Sequence, residues 1–163
     1  MAIAVVLMGV AGCGKTSLGR CLSARLGWPF FDGDDYHPDE NIAKMAQGIP
    51  LNDSDRFVWL SCLHDLIENS LQAGESMLLA CSALKMEYRD QLLEGNPGTI
   101  FVYLKGDYEL IFQRLQERKS HYMKAEMLQS QFAALEEPED AIVISIDQDL
   151  VAIVDEIEGE LAP

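Results

Sequence analysis

Three glycines, a lysine and a threonine stand at Gly9-Val10-Ala11-Gly12-Cys13-Gly14-Lys15-Thr16, the spacing G-x-x-x-x-G-K-[ST]. Glycine tolerates positive φ, so such a loop can turn its successive N–H groups inward onto phosphate oxygens. The helix expected to follow adds its positive N-terminal end. Lys15 would then reach the β- and γ-phosphates of ATP, and the Thr16 hydroxyl would ligate Mg²⁺. The loop predicts a nucleotide and does not by itself say which chemistry follows. Cys13 stands just before the helix N-terminus and Lys15, two positive features that favour a thiolate. The alternative is a small, buried and inert thiol in a place where serine would serve.

A second group of reactive residues is Asp32-Gly33-Asp34-Asp35-Tyr36-His37-Pro38. It follows Pro29-Phe30-Phe31, which reads as a short strand. Carboxylates at i and i+2 on an extended strand tip point the same way. One of the pair Asp32 and Asp34 can hold Mg²⁺ through water, and the other can accept a proton from, or orient, an attacking hydroxyl. An aspartate-rich turn without chemistry is the plainer reading of the same residues. Cations come next, with Lys44 and Arg56 in the helices on this side and Arg89 beyond another strand tip. A guanidinium suits bidentate recognition of a carboxylate, although each of these is also an ordinary surface charge. Arg114, Arg118, Lys119 and His121 cluster after the fourth strand, the usual place for a lid that closes over ATP.

The elements that must position these groups alternate between strand and helix, which predicts a parallel sheet covered by helices. Strands are expected at about 2–8, 29–32, 76–81, 99–104 and 141–146. Helices are expected at about 14–26, 38–47, 54–72, 108–118, 126–135 and 149–160. Gly27 and Pro29 stop the first helix. In the third, Trp59, Leu63, Leu66, Ile67 and Leu71 fall at helical spacing, with Asp53 as its cap. In an open sheet of this kind the strand carboxyl ends face the ligand crevice, which would set the tip of the second strand beside the glycine loop.

The 163 residues suit one domain, and at 48% hydrophobic the chain can build a core. A formal net charge of −15 argues against nucleic acid and anionic membrane surfaces as partners. A polyanion such as ATP must then be met by local cations and backbone donors. No apolar run approaches the ~20 residues that span a bilayer. The apolar start, residues 1–8, reads as a buried strand and not as a signal peptide. Four scattered cysteines, with neither Cys-x-x-Cys nor zinc spacing, suggest reduced thiols and a cytoplasmic protein.

Further motifs carry a resemblance. Asp32-Gly33-Asp34 is followed by His37-Pro38, Asn41, Lys44-Met45, Gly48-Ile49-Pro50-Leu51, Asp53-Ser54-Asp55-Arg56 and Trp59-Leu60. Ala80-Cys81-Ser82-Ala83-Leu84-Lys85, Tyr88-Arg89-Asp90, Arg118, His121-Tyr122-Met123, Leu128-Gln129-Ser130-Gln131-Phe132 and Leu135-Glu136 before Pro138 complete the set. From Leu7 to about Pro138 the chain resembles the gluconate kinases, within the shikimate-kinase-like P-loop kinases. It departs from their usual pattern at Cys13, Val58, Met86, Ser120 and Tyr122.

The resemblance implies a single-domain α/β P-loop kinase fold over residues 1–163. Its five-stranded parallel sheet is flanked by helices, and a lid at about 118–125 follows the fourth strand. It implies ATP-dependent phosphorylation of D-gluconate to 6-phosphogluconate. In that reading Gly9, Gly12, Cys13, Gly14, Lys15, Thr16 and Ser17 hold the phosphates, Arg114 packs on adenine, and Thr16 and Asp32 hold Mg²⁺. Lys15 and Arg118 neutralise the transferring group and Asp34 orients the hydroxyl. His37, Lys44, Arg56, Arg89, His121 and Gln131 lie on the acceptor side, Arg56 and Arg89 gripping a carboxylate or the product phosphate. Another small acceptor, shikimate- or adenylylsulfate-like, and a non-catalytic nucleotide-binding module are the rival readings. A homodimer is left open.

Overall fold

The run Ala-Val-Val-Leu-Met is apolar at every position, as a strand covered on both faces must be. In the computed structural model, which describes residues 1–117 and 125–162, these residues form β1 (Ala4–Met8), buried throughout. It is the middle strand of a five-stranded, all-parallel sheet of order β2-β3-β1-β4-β5. The others are β2 (Phe30–Asp32), β3 (Met77–Ala80), β4 (Thr99–Lys105) and β5 (Ile142–Ser145). Edge strand β5 alternates, with Ile144 buried and Val143 exposed.

The two-residue period of β1 divides the core. Val5 and Leu7 face Leu18 and Leu22 of α1 (Lys15–Leu26), Ile111 and Leu115 of α5 (Tyr108–Glu117), and Ile153 and Ile157 of α7 (Leu150–Leu161). Ala4, Val6 and Met8 face the opposite layer. That layer holds Trp59, Leu63 and Ile67 of α3 (Asp53–Gln72) and Leu92 of α4 (Met86–Leu93). Full burial of a side chain such as Leu63 or Ile67 is worth about 1.5–3 kcal/mol. Two shorter helices, α2 (Asp39–Ala46) and α6 (Ala125–Ala134), border the strand carboxyl ends.

Three details differ from the sequence expectations. Helix α4 is absent from the expected elements, because its eight residues show little amphipathic contrast. Asn52, not Asp53, caps α3, in a reciprocal capping box with Asp55. Gly33–Tyr36 is a turn of 3₁₀ helix and not an extended tip. Although β3 is inserted between β1 and β2, the tip of β2 reaches the glycine loop as expected, with Asp32 beside Thr16. The expected lid, with Arg118 and His121, lies outside the described residues apart from Ala125.

Candidate active site

The glycine loop is built by backbone constraint. Gly9 has φ 148°, and a Cβ there would sit 2.7 Å from Cys13 Sγ and 3.0 Å from the Leu104 carbonyl. Gly14, at φ 102°, is the left-handed residue that starts α1. Lys15 Nζ donates to the carbonyls of Gly9 (2.9 Å) and Val10 (3.1 Å), so the loop closes around its own cation. Cys13 is 2% exposed with its sulfur 3.8 Å from Lys15 Nζ. That burial favours the small, packed side chain over the reactive thiol.

Beside the loop lies a cavity of about 440 Å³ lined by Gly12, Gly14, Ser17, Arg114, Gln148 and Leu150. Arg114 Nη2 donates to the Ile146 carbonyl at 2.7 Å, which holds the planar guanidinium against the cavity wall. The cavity thus runs from phosphate-binding backbone at the α1 N-terminus to an apolar and guanidinium-lined recess. This arrangement suits the two ends of a nucleotide.

On the other side of the loop, Thr16 Oγ1 donates to Asp32 Oδ2 at 3.4 Å. Asp32 Oδ1 accepts the Asp34 amide at 3.0 Å and so caps the 3₁₀ turn. Asp32 and Asp34 therefore do not point together along a strand. Asp32 faces Thr16, and the turn carries Asp34 to the mouth of the cleft. A hydroxyl and a carboxylate converging beside a phosphate loop are the hard oxygen donors that Mg²⁺ takes, in keeping with its retention of water and phosphate ligands. The residues present fit that ion.

Asp34 is solvent-exposed at its edge. The surrounding protein nevertheless raises its carboxyl pKa, chiefly by desolvation and then by Asp32, with His37 and Lys15 opposing. A carboxylate raised toward neutrality is a better proton acceptor. His37 stacks on Trp59 at 4.4 Å between centroids, and the Trp59 indole N–H donates to the Gly33 carbonyl at 2.8 Å. Asn41 Nδ2 lies 3.2 Å from His37 Nδ1 and 3.1 Å from the Asp55 carbonyl. The amide donor assigns Nδ1 as acceptor and leaves the His37 proton on Nε2. Partial burial lowers the His37 pKa, against the pull of Asp34, so the ring stays neutral.

A smaller recess of about 270 Å³ opens past the tip of β3, lined by Arg56, Trp59, Ser82, Lys85, Ser130 and Gln131 among others. It adjoins the glycine loop, for Ser82 accepts the Gly9 amide (3.2 Å) and Gln131 Oε1 accepts the Ala11 amide (2.7 Å). Two cations, three hydroxyls and an amide are gathered there in a chain that is strongly acidic overall. They can take a small, hydroxyl-bearing anion.

Comparison with known proteins agrees with this geometry. The shikimate kinase family model matches residues 11–159. A probable gluconokinase of Xenopus tropicalis is 46% identical over 175 residues, covering 96% of this chain and 92% of that protein. The thermoresistant gluconokinase of Escherichia coli K12 is 47% identical over 153 residues, covering 91% and 87%. The crystal structure of a gluconokinase from Sinorhizobium meliloti 1021 superposes with a TM-score of 0.84 at 40% identity, covering 94% and 88%. The chain belongs to the gluconokinase family, within the shikimate-kinase-like P-loop kinases.

Not all the residues that this family resemblance nominated gather at the site. Gly12, Cys13, Gly14, Ser17 and Arg114 line the cavity beside the glycine loop, and Arg56 and Gln131 line the recess past β3. Lys15 closes the loop through the Gly9 carbonyl, Thr16 meets Asp32, and Asp34 and His37 belong to the turn that Trp59 holds. Lys44 is instead paired with Asp55 at 2.7 Å. That hydrogen bond, then the Asn52 amide, holds the Asp55 carboxyl below its ordinary value. Arg89 is turned away, 7% exposed, and donates to the Ala83 (2.8 Å) and Glu136 (2.8 Å) carbonyls. Ala83 has φ 45°, a strained left-handed conformation for a non-glycine residue, and Arg89 clamps its carbonyl. Arg89 thus shapes the strand tip and does not line the recess.

Lys85 and Asn41 are the gains. Both stood in the motifs without an assigned role, since nothing local distinguishes a cation at a helix N-cap or an asparagine on a short helix. Asn41 is 2% exposed, and a buried amide with two partners is a signal visible only after folding.

Proposed function

We propose that this chain transfers the γ-phosphoryl group of ATP to the primary hydroxyl of D-gluconate, forming 6-phosphogluconate and ADP. The observation that carries the reading is the recess lined by the cations Arg56 and Lys85, joined to the phosphate loop through Gln131. Membership of the gluconokinase family names the sugar acid.

In this reading the acceptor carboxylate sits on Arg56 and Lys85, and its chain of hydroxyls lies along Ser82, Ser130 and Gln131. Its far hydroxyl then points toward the loop and Asp34. The hydroxyl oxygen attacks the γ-phosphorus as the bond to the β-phosphate oxygen breaks, and the hydroxyl proton passes to Asp34. Lys15 leaves the Gly9 and Val10 carbonyls to meet the phosphates, and Arg114 flanks the base. Thr16 and Asp32 would hold Mg²⁺, which when bound neutralises phosphate oxygens. Arg118 and His121 complete the site in the family pattern. Four free thiols support a reducing cytoplasmic setting, and among the described residues no helix is long and apolar enough to cross a membrane.

The test is ADP release with a panel of acceptors at saturating Mg-ATP. Gluconate is expected to be turned over, with shikimate, adenylylsulfate and neutral sugars inactive. Turnover of another acceptor, or ATP binding without any ADP release, overturns the reading.

A further inference from the structure

Gln131 belongs to both halves of the site. It lies on α6, 120 residues from Ala11 in the chain, yet its Oε1 accepts the Ala11 amide of the glycine loop at 2.7 Å. It also forms part of the wall of the acceptor recess with Arg56, Lys85 and Ser130. A backbone N–H can be accepted only by the oxygen of a carboxamide, so this contact decides which end of the amide is which. With Oε1 committed to the loop, the two Nε2 hydrogens are what the side chain has to offer. Among the described residues Nε2 has no hydrogen-bond partner.

The residue is also held from behind. Phe132 packs edge-on against Tyr108 at 5.7 Å, and the Glu136 amide donates to the Leu84 carbonyl at 2.8 Å, tying the end of α6 to the tip of β3. An amide anchored in this way cannot follow a ligand freely.

We propose that Gln131 is a positioning residue that couples the two substrates. Its Nε2–H donates to a hydroxyl or carboxylate oxygen of the acceptor while its Oε1 holds the loop at Ala11. A loop ordered by nucleotide phosphates then orders the amide that receives the acceptor. By reciprocity the acceptor tightens nucleotide binding by the same factor. This rests on the acceptor reading above.

The test uses the full chain and compares Gln131→Met, which loses both contacts, with Gln131→Glu, which keeps an acceptor for Ala11 and loses the donor. Dissociation constants for a non-hydrolysable ATP analogue are measured calorimetrically with and without gluconate, beside kcat and KM. In the parent, gluconate is expected to tighten analogue binding about fivefold or more. In both variants that factor falls toward one and KM for gluconate rises about 5- to 10-fold. Gln131→Met, which leaves the Ala11 amide unpaired, lowers the melting temperature, whereas Gln131→Glu keeps it near the parent's. An unchanged coupling factor and KM in both variants overturns the proposal. So does equal weakening of the analogue with and without gluconate, which would confine Gln131 to shaping the loop, and so does a parent without coupling. Gluconate turnover by the parent reports separately on the acceptor reading. If the panel reveals another acceptor, the same measurements with that acceptor decide the role of Gln131.

Discussion

The Trp59 indole donates to the Gly33 carbonyl at 2.8 Å, so a residue of the α3 core holds the turn that carries Asp34. Trp59→Phe keeps most of the ring stacked on His37 but leaves a carbonyl unpaired, at about 1–3 kcal/mol. Thermal unfolding should shift down. The kcat should fall about tenfold, since small misplacements of a reacting group are expensive. ATP affinity should hold, and equal kcat in parent and variant would separate Trp59 from the chemistry.

Lys15→Ala removes the cation that now bridges the Gly9 and Val10 carbonyls and is directed at the phosphates. Turnover should drop about 10²–10³-fold in a folded protein, the loss seen when one oriented charge-stabilising donor is removed. Single-turnover kinetics beside circular dichroism give the answer.

Arg56 and Arg89 should behave differently despite their matching chemistry. Arg56→Lys keeps charge but not the planar fork, so gluconate KM should rise with the melting temperature unchanged. Arg89→Met frees the carbonyls of Ala83 and Glu136, and should lower stability by about 2–3 kcal/mol. Denaturant titration beside steady-state kinetics distinguishes them. A stable Arg89→Met with poor gluconate affinity would return Arg89 to the recess.

The thiols differ in access. Cys62 is exposed, Cys13 and Cys81 are buried, and burial pushes the Cys81 thiol up to about 12. A bulky maleimide should therefore label Cys62 first and leave activity intact, as peptide mass mapping would report. Loss of activity in step with the fastest labelling, prevented by Mg-ATP, would instead point to an open Cys13.

Stability should also depend on pH through His64. Burial opposes its protonation. The Glu94 carbonyl 2.6 Å from Nε2, and Asp65 and Glu68 beside Nδ1, outweigh that and raise its pKa above 6.5. A folded-state pKa above the unfolded one gives stability that is full below pH 6.5 and is lost as pH rises through the folded value. The melting-temperature gap between parent and His64→Gln should be larger at about pH 5.5 than at about pH 8.5. The effect should be under about 1 kcal/mol for so exposed a cluster.

The sequence by itself determined whatever depends on neighbours along the chain. The unbroken apolar run of β1 and the glycine spacing before Lys15 are local requirements of backbone geometry, and they hold in the fold. The family motifs likewise named the acceptor-side candidates as a set. Only the tertiary structure decided which members of that set line the recess. Insertion of β3 between β1 and β2 brings Ser82 against the glycine loop and Lys85 into the recess, and strand order is set by how two core layers pack, not by any one strand's residues. Lys44, Arg56 and Arg89 are alike as cations in the sequence. They part company because Asp55 and two backbone carbonyls, brought close by folding, engage Lys44 and Arg89, whereas Arg56 has only a looser 3.7 Å pair with exposed Asp53 and lines the recess.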